Sequence, residues 1–292
     1  MNTTLFNGFK TAVLLGLMTG LCLVVGYVFG GEQGMFFGLV VGGGMSLGSY
    51  FFSDRLALAA VGAQPVSREQ APELYDMVAQ LSQRAGLPMP RLYFSPEQAP
   101  NAFATGRNPA HGVVCVTAGL MNMMTPPELE GVIGHELSHI KHRDILISTI
   151  AAIMAAGITY AAHMMMWFGG GGRDRDNPLG IVGVLLSIIL APIAAGLLQM
   201  AISRSREYAA DASGAQLAGG PEGLISALRK LAVANEQIPM NINPAQSPMF
   251  IVMPLAGESR GLMDLFRTHP PTEKRIAKLL EMMGKPNPYS MV

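Results

Sequence analysis

The stretch TPPELEGVIGHELSHIKH, residues 125–142, has a strong helical pattern. Thr125 and Glu128 have the spacing of a capping box, and a proline occupies the first helical position. Apolar residues then recur at helical spacing, at Leu129, Val132, Ile133, Leu137 and Ile140. The stretch therefore predicts one capped helix with a single buried face.

Two histidines lie in the middle of this predicted helix. Because His135 and His139 are four residues apart, their imidazoles project from one face, which suits two ligands of a tetrahedral zinc ion. The neighbouring Glu136 could reach a metal-bound water without taking a coordination position. The pattern H-E-x-x-H arises by chance about 0.005 times in a sequence of this composition. It indicates a zinc site with Glu136 as general base, against the alternative of two solvated surface histidines.

A hydrolytic zinc site also needs a third protein ligand and an open position for water. His142 shares a helix face with His135 but lies about 10 Å further along the axis, too far to bind the same ion. The candidates that remain are His111, His269 and an acidic residue from the second half of the chain.

Four long stretches of the chain carry no charged residue, at 11–31, 34–52, 145–168 and 179–203. Each is long enough to cross a bilayer core of about 30 Å, which needs about 20 helical residues. The first two predict transmembrane helices. Their Gly-xxx-Gly spacings predict a tightly packed pair, and they occur at Gly16/Gly20, Gly26/Gly30, Gly34/Gly38, Gly38/Gly42 and Gly44/Gly48. The last two predict a second apolar hairpin, which either crosses the bilayer or enters it from one side.

The overall composition agrees with a membrane protein. Only 14% of the 292 residues are charged, whereas soluble domains have about 25%. The 20 basic residues balance the 20 acidic ones, which argues against a nucleic-acid partner, because such proteins need a cationic surface. Two cysteines, Cys22 and Cys115, cannot form a disulfide framework. The lipid bilayer is therefore the first predicted partner.

Basic residues flank the apolar stretches on one side, such as Lys10 before the first and Arg55 after the second. By the positive-inside rule, residues 1–10, 53–144 and 204–292 lie together in the cytosol. The last two segments are expected to form one α+β catalytic domain that the second hairpin interrupts. Its predicted strands are Arg91–Ser95, Ala102–Thr105 and Val113–Thr117, and its other predicted helices are Ala71–Ala85, Pro221–Gln237 and Pro271–Met283.

Both ends of the second hairpin emerge on the same side of the membrane. The hairpin therefore brings the helix of His139 next to Glu207 and Asp211, two acids on one helix face. We assign Glu207 as the third zinc ligand and Asp211 as the acceptor of a hydrogen bond from a ligand histidine. The alternative is that both acids pair with arginines at the lipid boundary, namely Arg143, Arg204 or Arg206.

With these features the chain resembles the HtpX family of heat-shock membrane proteases, within a wider group that includes the CaaX prenyl proteases. The resemblance covers the two N-terminal spans, HELSH at 135–139, the two further apolar stretches and EYAAD at 207–211. NAFATG at 101–106 and VTAGL at 116–120 also resemble strand motifs of this family. The resemblance implies a zincin-like metalloprotease domain with one Zn²⁺ per chain, and it supports Glu207 as ligand and Glu136 as base.

The resemblance further implies an endopeptidase that faces the cytosol from a bacterial inner membrane and cuts misfolded or damaged membrane proteins. Asn101, Ala102, Phe103 and Ala104 would then form an exposed edge that receives an extended substrate by β-augmentation. Asn101 could also orient the substrate backbone. The alternative is an ordinary surface strand.

Three questions stay open on sequence alone. His269-Pro270-Pro271 with Arg275 also matches a family pattern and could orient active-site groups, or could simply start the last helix. The enzyme could instead be a narrow processing peptidase of the CaaX-protease type. The protein could also be a non-enzymatic zinc-binding membrane scaffold or a transporter.

Overall fold

The computed structural model describes the chain at residues 3–144, 146–147, 150–151, 154, 204–237, 251 and 270–285. Nearly all of the predicted second hairpin, at 145–168 and 179–203, lies outside these residues, and so does His269.

The first helix, α1, spans Thr3–Ala60 and is interrupted at Gly30 and Gly31, whose backbone angles are not helical. Its two parts, Asn7–Val24 and Gly30–Ala60, are each long and apolar enough to cross a membrane. The helix continues beyond the predicted end of the second span at Phe52, and Gly62, with φ +58°, follows it.

The two parts of α1 pack closely through some of the predicted glycines. A Cβ atom on Gly26 would collide with the carbonyl of Gly34, and one on Gly38 would collide with the carbonyl of Cys22. Gly42 also lies against the other part of α1. The remaining glycines of the predicted spacings, Gly16, Gly20, Gly30, Gly44 and Gly48, have open space at the Cβ position. Close packing therefore concentrates near the turn.

A four-stranded sheet follows, in the order β1-β2-β4-β3. The strands are β1 Gln64–Pro65, β2 Arg91–Ser95, β3 Ala102–Thr105 and β4 Val113–Thr117. β2 and β4 are parallel, and β3 pairs antiparallel with β4, with Ala102 opposite Val116. The three predicted strands are confirmed, and the two-residue β1 was not predicted. β3 therefore forms one edge of the sheet.

Six further helices are described. They are α2 Pro72–Ala85, α3 Ala118–Met123, α4 Pro126–His142, α5 Arg204–Leu217, α6 Glu222–Gln237 and α7 Thr272–Met282, and a 3₁₀ turn spans Pro109–His111. The capping box predicted at Thr125 and Glu128 is present. Gly86, in the left-handed conformation with φ 69°, ends α2 where the sequence predicted. The short α3 was not predicted.

The two faces of the sheet pack against different parts of the chain. Phe103, Val113 and Cys115 form a buried cluster with Ala57 and Leu58 of α1. The alternate strand residues, Ala102, Val114 and Val116, pack in the main core with α2 and α4. The sheet therefore separates the end of α1 from α4, the helix that carries the two histidines.

Candidate metal centre

The histidine helix α4 crosses α5 in direct backbone contact. A Cβ atom on Gly134 would lie 2.7 Å from the carbonyl oxygen of Gly214, and one on Gly214 would lie 2.5 Å from the amide nitrogen of His135. Only glycine fits at both positions without displacing a backbone. Because the helix axes approach so closely at His135, the short acidic side chains of α5 can reach the imidazoles.

Three side chains converge at this crossing. The Nε2 atoms of His135 and His139 are 3.2 Å apart, and the two carboxylate oxygens of Glu207 lie 3.7 Å and 3.5 Å from them. One ligand atom from each residue lies within 4.8 Å of the other two. His135 and Glu207 are 1% and 3% exposed. The three residues could hold one metal ion, with the donor set that the sequence predicted.

His135 is fixed by a buried ion pair behind it. Its Nδ1 lies 2.9 Å from Oδ1 of Asp211, and Arg275 donates two hydrogen bonds to the same carboxylate, at 2.8 Å and 2.6 Å. Burial opposes ionisation of Asp211, but the charge and hydrogen bonds of Arg275 outweigh it and lower the pKa of Asp211 to about 2. Burial lowers the pKa of His135 to about 4, so this imidazole is neutral, as a metal ligand must be.

Arg275 is itself buried and connects the metal centre to the sheet. It donates a hydrogen bond to the carbonyl of Ile251 at 2.7 Å, and the amide of Ile251 donates to Oδ1 of Asn101 at 3.2 Å. The side-chain oxygen of Asn101 therefore accepts a hydrogen bond from the backbone of Ile251 in the same chain.

His139 is supported from a different direction. Its Nδ1 lies 3.5 Å from Oδ2 of Asp144, just after α4. The other oxygen of Asp144 accepts hydrogen bonds from Nδ2 of Asn7 at 2.8 Å and from Arg206 at 3.1 Å. Asn7 belongs to the first turns of α1. This support therefore joins the metal centre to the start of the first apolar helix.

The charge around His139 favours a cation. Burial would lower its pKa, but the carboxylates of Glu207, Asp144 and Glu136 outweigh burial and raise the pKa of His139 to about 9. Three acids thus face one imidazole in a site with little access to water. A divalent cation between the three candidate ligands would meet the same negative potential.

Glu136 lies beside the three candidate ligands and contacts the edge strand. Its Oε2 accepts a hydrogen bond from the backbone N–H of Ala104 at 2.8 Å. Burial raises the pKa of Glu136 to about 7; His139 lowers it and Glu207 raises it further. A carboxylate with a pKa near 7 can both accept and return a proton at neutral pH.

The predicted substrate segment is the edge strand β3 and the residue before it. Asn101, Ala102 and Phe103 are buried, and Ala104 is half-buried. Within the described sheet, β3 has a hydrogen-bonded neighbour on one side only, β4. The structure thus brings the segment beside Glu136.

The structure bears on two alternatives, His111 as the third ligand and the boundary arginines as partners of the two acids. His111 is exposed on the 3₁₀ turn, where its ring contacts Arg107 and Asn108, and it lies outside the described cluster. Asp211 pairs with Arg275 rather than with a boundary arginine, whereas Arg206 pairs with Asp144.

Sequence reasoning missed Asp144 and left Arg275 unassigned. An acid between Lys141, Arg143 and the third apolar stretch was a usable signal for Asp144, because it departs from the basic pattern of the membrane flank.

Comparison with known proteins identifies the family. The model of peptidase family M48 matches residues 68–283. Protease HtpX homologs from Desulfatibacillum aliphaticivorans and Thermodesulfovibrio yellowstonii are 54% and 52% identical to this chain; the alignments cover 94% of it and 89% and 97% of the relatives. The crystal structure of S. mikatae Ste24p overlaps with a TM-score of 0.49 at 16% identity, covering 95% of this chain and 66% of that one. The chain therefore belongs to peptidase family M48, among the HtpX proteases, and is a membrane metalloprotease.

Proposed function

We propose that this protein is a zinc-dependent endopeptidase in which His135, His139 and Glu207 bind one Zn²⁺ and Glu136 is the general base. The observation that carries the proposal is the convergence of the three ligand side chains. Their nearest donor atoms are 3.2 Å, 3.5 Å and 3.7 Å apart. Zinc bonds of about 2.0–2.1 Å at tetrahedral angles require separations of about 3.3–3.4 Å, so small side-chain adjustments complete the site.

The chemistry follows from the donor set. When bound, zinc with two neutral imidazoles and one carboxylate acts as a Lewis acid and lowers the pKa of a bound water molecule to about 7. Glu136 takes the proton of the attacking water and then returns it to the leaving amine. Asp211 and Asp144 each face Nδ1 of one histidine, which leaves both Nε2 atoms available to hold a zinc ion.

β3 supplies the substrate-binding edge in this proposal. An extended peptide pairs with the strand by β-augmentation, which uses main-chain hydrogen bonds and tolerates many sequences. The hydrogen bond between Ala104 N–H and Glu136 keeps the base adjacent to that edge. We assign Asn101 a supporting role, because its side-chain oxygen is bonded to Ile251.

The substrates are proposed to be misfolded or damaged membrane proteins at the cytosolic face of a bacterial inner membrane. Two contacts support this placement: Asn7 binds Asp144 beside His139, and Ala57 and Leu58 pack against the sheet. Both ends of the α1 hairpin thus meet the catalytic domain, which 53–144 and 204–292 form in a zincin-like α+β arrangement. The segments 145–168 and 179–203 complete a four-span topology in this proposal. A narrow CaaX-type processing peptidase is the second candidate.

The test replaces Glu136 with glutamine in the full-length protein in detergent. The variant should bind one zinc per chain but lose cleavage of casein and of an unfolded membrane protein by at least about 100-fold, because the proton acceptor is gone. Glu130→Gln, on the same helix, is the matched control and should keep both properties. Glu207→Ala should lower bound zinc. Cleavage that survives Glu136→Gln would contradict the assigned base, and unchanged zinc in Glu207→Ala would contradict the third ligand.

A further inference from the structure

A cavity of about 640 Å³ lies between the second part of α1 and one end of the sheet. Its walls come from α1 between Gly44 and Arg55, from Arg91 at the start of β2, and from the segment that follows β3. None of the described metal-centre residues lines this cavity. It is therefore a separate feature of the molecule.

The α1 side of the cavity is an apolar groove. Gly44 and Gly48 are one helical turn apart, and a Cβ atom on either would meet nothing within 4 Å. Leu47 and Phe51 flank them and are 63% and 50% exposed. This groove lies within the candidate span Gly30–Ala60, on a surface that faces lipid when the span is in a membrane. Its shape and chemistry suit a hydrocarbon chain.

The opposite end of the cavity is cationic. Arg55, Arg91 and Arg107 line it together with one acid, Asp54, which pairs with Arg91 at 2.6 Å. The three arginines and one aspartate together carry a net charge of +2. The guanidinium groups of Arg55 and Arg107 stand over phenylalanine rings of α1, at 5.4 Å and 5.8 Å from the ring centres. These cation–π contacts hold both groups at the end of the apolar groove.

Arg107 is oriented by its neighbours. Its guanidinium donates to Nε2 of His111 at 2.7 Å, which leaves the Nδ1 proton to be donated to Asn108 at 2.8 Å. The resulting chain of hydrogen bonds fixes the direction of the guanidinium group. Arginine binds phosphate oxygens through paired N–H donors, so a fixed guanidinium at the membrane boundary suits a phosphate headgroup.

We propose that this cavity binds one anionic phospholipid, with its phosphate between Arg55 and Arg107 and one acyl chain along the Gly44–Gly48 groove. The proposal rests on the membrane placement of α1 and is independent of zinc binding and catalysis. The apolar groove and the arginines are continuous, which matches the two ends of a lipid. The excess of positive charge selects an anionic headgroup over a zwitterionic one.

The experiment uses the delipidated full-length protein in a nonionic detergent and native mass spectrometry. Phosphatidylglycerol, phosphatidylcholine and inorganic phosphate are titrated separately. We expect one phosphatidylglycerol per chain, bound more tightly than phosphatidylcholine, with no comparable binding of inorganic phosphate. Replacing Arg55 and Arg107 with alanine should weaken phosphatidylglycerol binding about fivefold per arginine. Gly48→Leu should block it by filling the groove.

Two matched controls separate the site from general effects. Gly16→Leu places the same side chain at an α1 glycine that is exposed and, like Gly48, has open space at the Cβ position. Arg68→Ala removes an exposed arginine that pairs with Asp76. Both should bind phosphatidylglycerol like the unmodified protein, and thermal midpoints report folding of every variant. If Gly48→Leu does not fold, phosphatidylglycerol binding by the arginine variants alone tests the proposal.

Three results would overturn the proposal. Equal phosphatidylglycerol binding by the unmodified protein and the arginine variants would exclude the headgroup site. Equal binding of phosphatidylcholine would exclude anionic selectivity. Competition by inorganic phosphate at matching affinity, together with unimpaired binding by a folded Gly48→Leu variant, would mean that the cavity binds free phosphate and no lipid.

Discussion

The two candidate histidine ligands lie one helical turn apart, yet they are supported by different regions of the molecule. His135 is held by Asp211 and Arg275, from α5 and α7, in a fully buried ion pair. His139 is held by Asp144, which Asn7 of the first apolar helix and Arg206 hold in turn. One ligand is thus fixed from within the catalytic core and the other from its junction with α1. The geometry of the metal centre therefore depends on how α1 docks.

The two supports should differ in energetic weight. The Arg275 side chain is 1% exposed and has no access to water to replace its partner. Arg206 and His139 are each 14% exposed at the side chain, so water can replace part of what Asp144 provides. Loss of a buried partner is costly because it leaves an uncompensated charge, whereas loss of a partly hydrated one is not.

The largest effect is predicted for Asp211→Asn. It replaces the carboxylate that faces His135 Nδ1 with a neutral amide, which is a weaker acceptor, and it leaves Arg275 buried without a counter-charge. We expect zinc affinity to fall about 10- to 100-fold and unfolding free energy to fall by about 3–5 kcal/mol. Zinc competition with a chromophoric chelator and thermal unfolding measure the two effects.

The double variant Asp211→Asn with Arg275→Met separates these two effects. It removes both charges from the core, so much of the lost stability should return, while zinc binding stays weak because His135 still lacks the charged carboxylate as its acceptor. Full recovery of zinc affinity in the double variant would show that Asp211 acts only through Arg275, and the direct role in orienting His135 would be wrong.

A smaller effect is expected for Asp144→Asn. Zinc affinity should fall about tenfold, the lower part of the range for partners of metal-bound histidines, and stability by no more than about 1 kcal/mol. Zinc competition with a chromophoric chelator measures the change in affinity, and thermal unfolding measures the change in stability. If this variant lost as much stability as Asp211→Asn, the proposed difference between the core and junction supports would be refuted.

The catalytic helix and the sheet could be predicted from sequence because their signals are local. The capping box at Thr125, the histidine spacing in α4 and the glycine that ends α2 each lie within a few residues of the feature they determine. The boundaries of β2, β3 and β4 followed for the same reason. The short elements β1 and α3 were not predicted, because two to six residues carry little periodicity.

The supports of the metal centre could not be predicted in the same way. Arg275 reaches Asp211 across 64 positions and Asn7 reaches Asp144 across 137, and no spacing rule connects residues so far apart. The contact of Gly134 with Gly214 is also visible only when two helices are packed. Glu207 could be proposed from the sequence because the predicted second hairpin limited where its helix could lie.

Asn7→Ala tests whether the contact of α1 with Asp144 affects zinc affinity. The variant loses the hydrogen bonds from Nδ2 to Asp144 and to the carbonyl of His142. We expect zinc affinity to fall only about two- to threefold, because a net hydrogen bond of about 1 kcal/mol is transmitted partly through Asp144. Thr19→Ala is the matched control: it removes a hydrogen bond to Ser46 inside the α1 hairpin and should leave zinc affinity unchanged. Equal zinc affinity in both variants would confine the His139 support to the catalytic domain.

The smallest effect on zinc is expected at the start of α4, where Glu128 accepts hydrogen bonds from Lys230 and Ser226 of α6, each at 2.6 Å. Burial opposes ionisation of Glu128, but these donors and the Thr125 cap outweigh it and lower its pKa to about 2. The ionised carboxylate therefore stabilises the fold above its usual pKa of 4.5, and this contribution disappears as pH falls through about 2.

Glu128→Gln should accordingly be less stable than the unmodified protein at pH 7, by about 1 kcal/mol, because the partly exposed Lys230 is screened by water. The difference in thermal midpoint should be about 2–4 °C at pH 7 and should shrink steadily between pH 5 and pH 2. Zinc affinity at pH 7 should not change, since α4 continues to be packed against α5 at the glycine contact. A change in zinc affinity as large as that of Asp144→Asn would mean that the whole of α4, rather than the two separate supports, fixes the histidines.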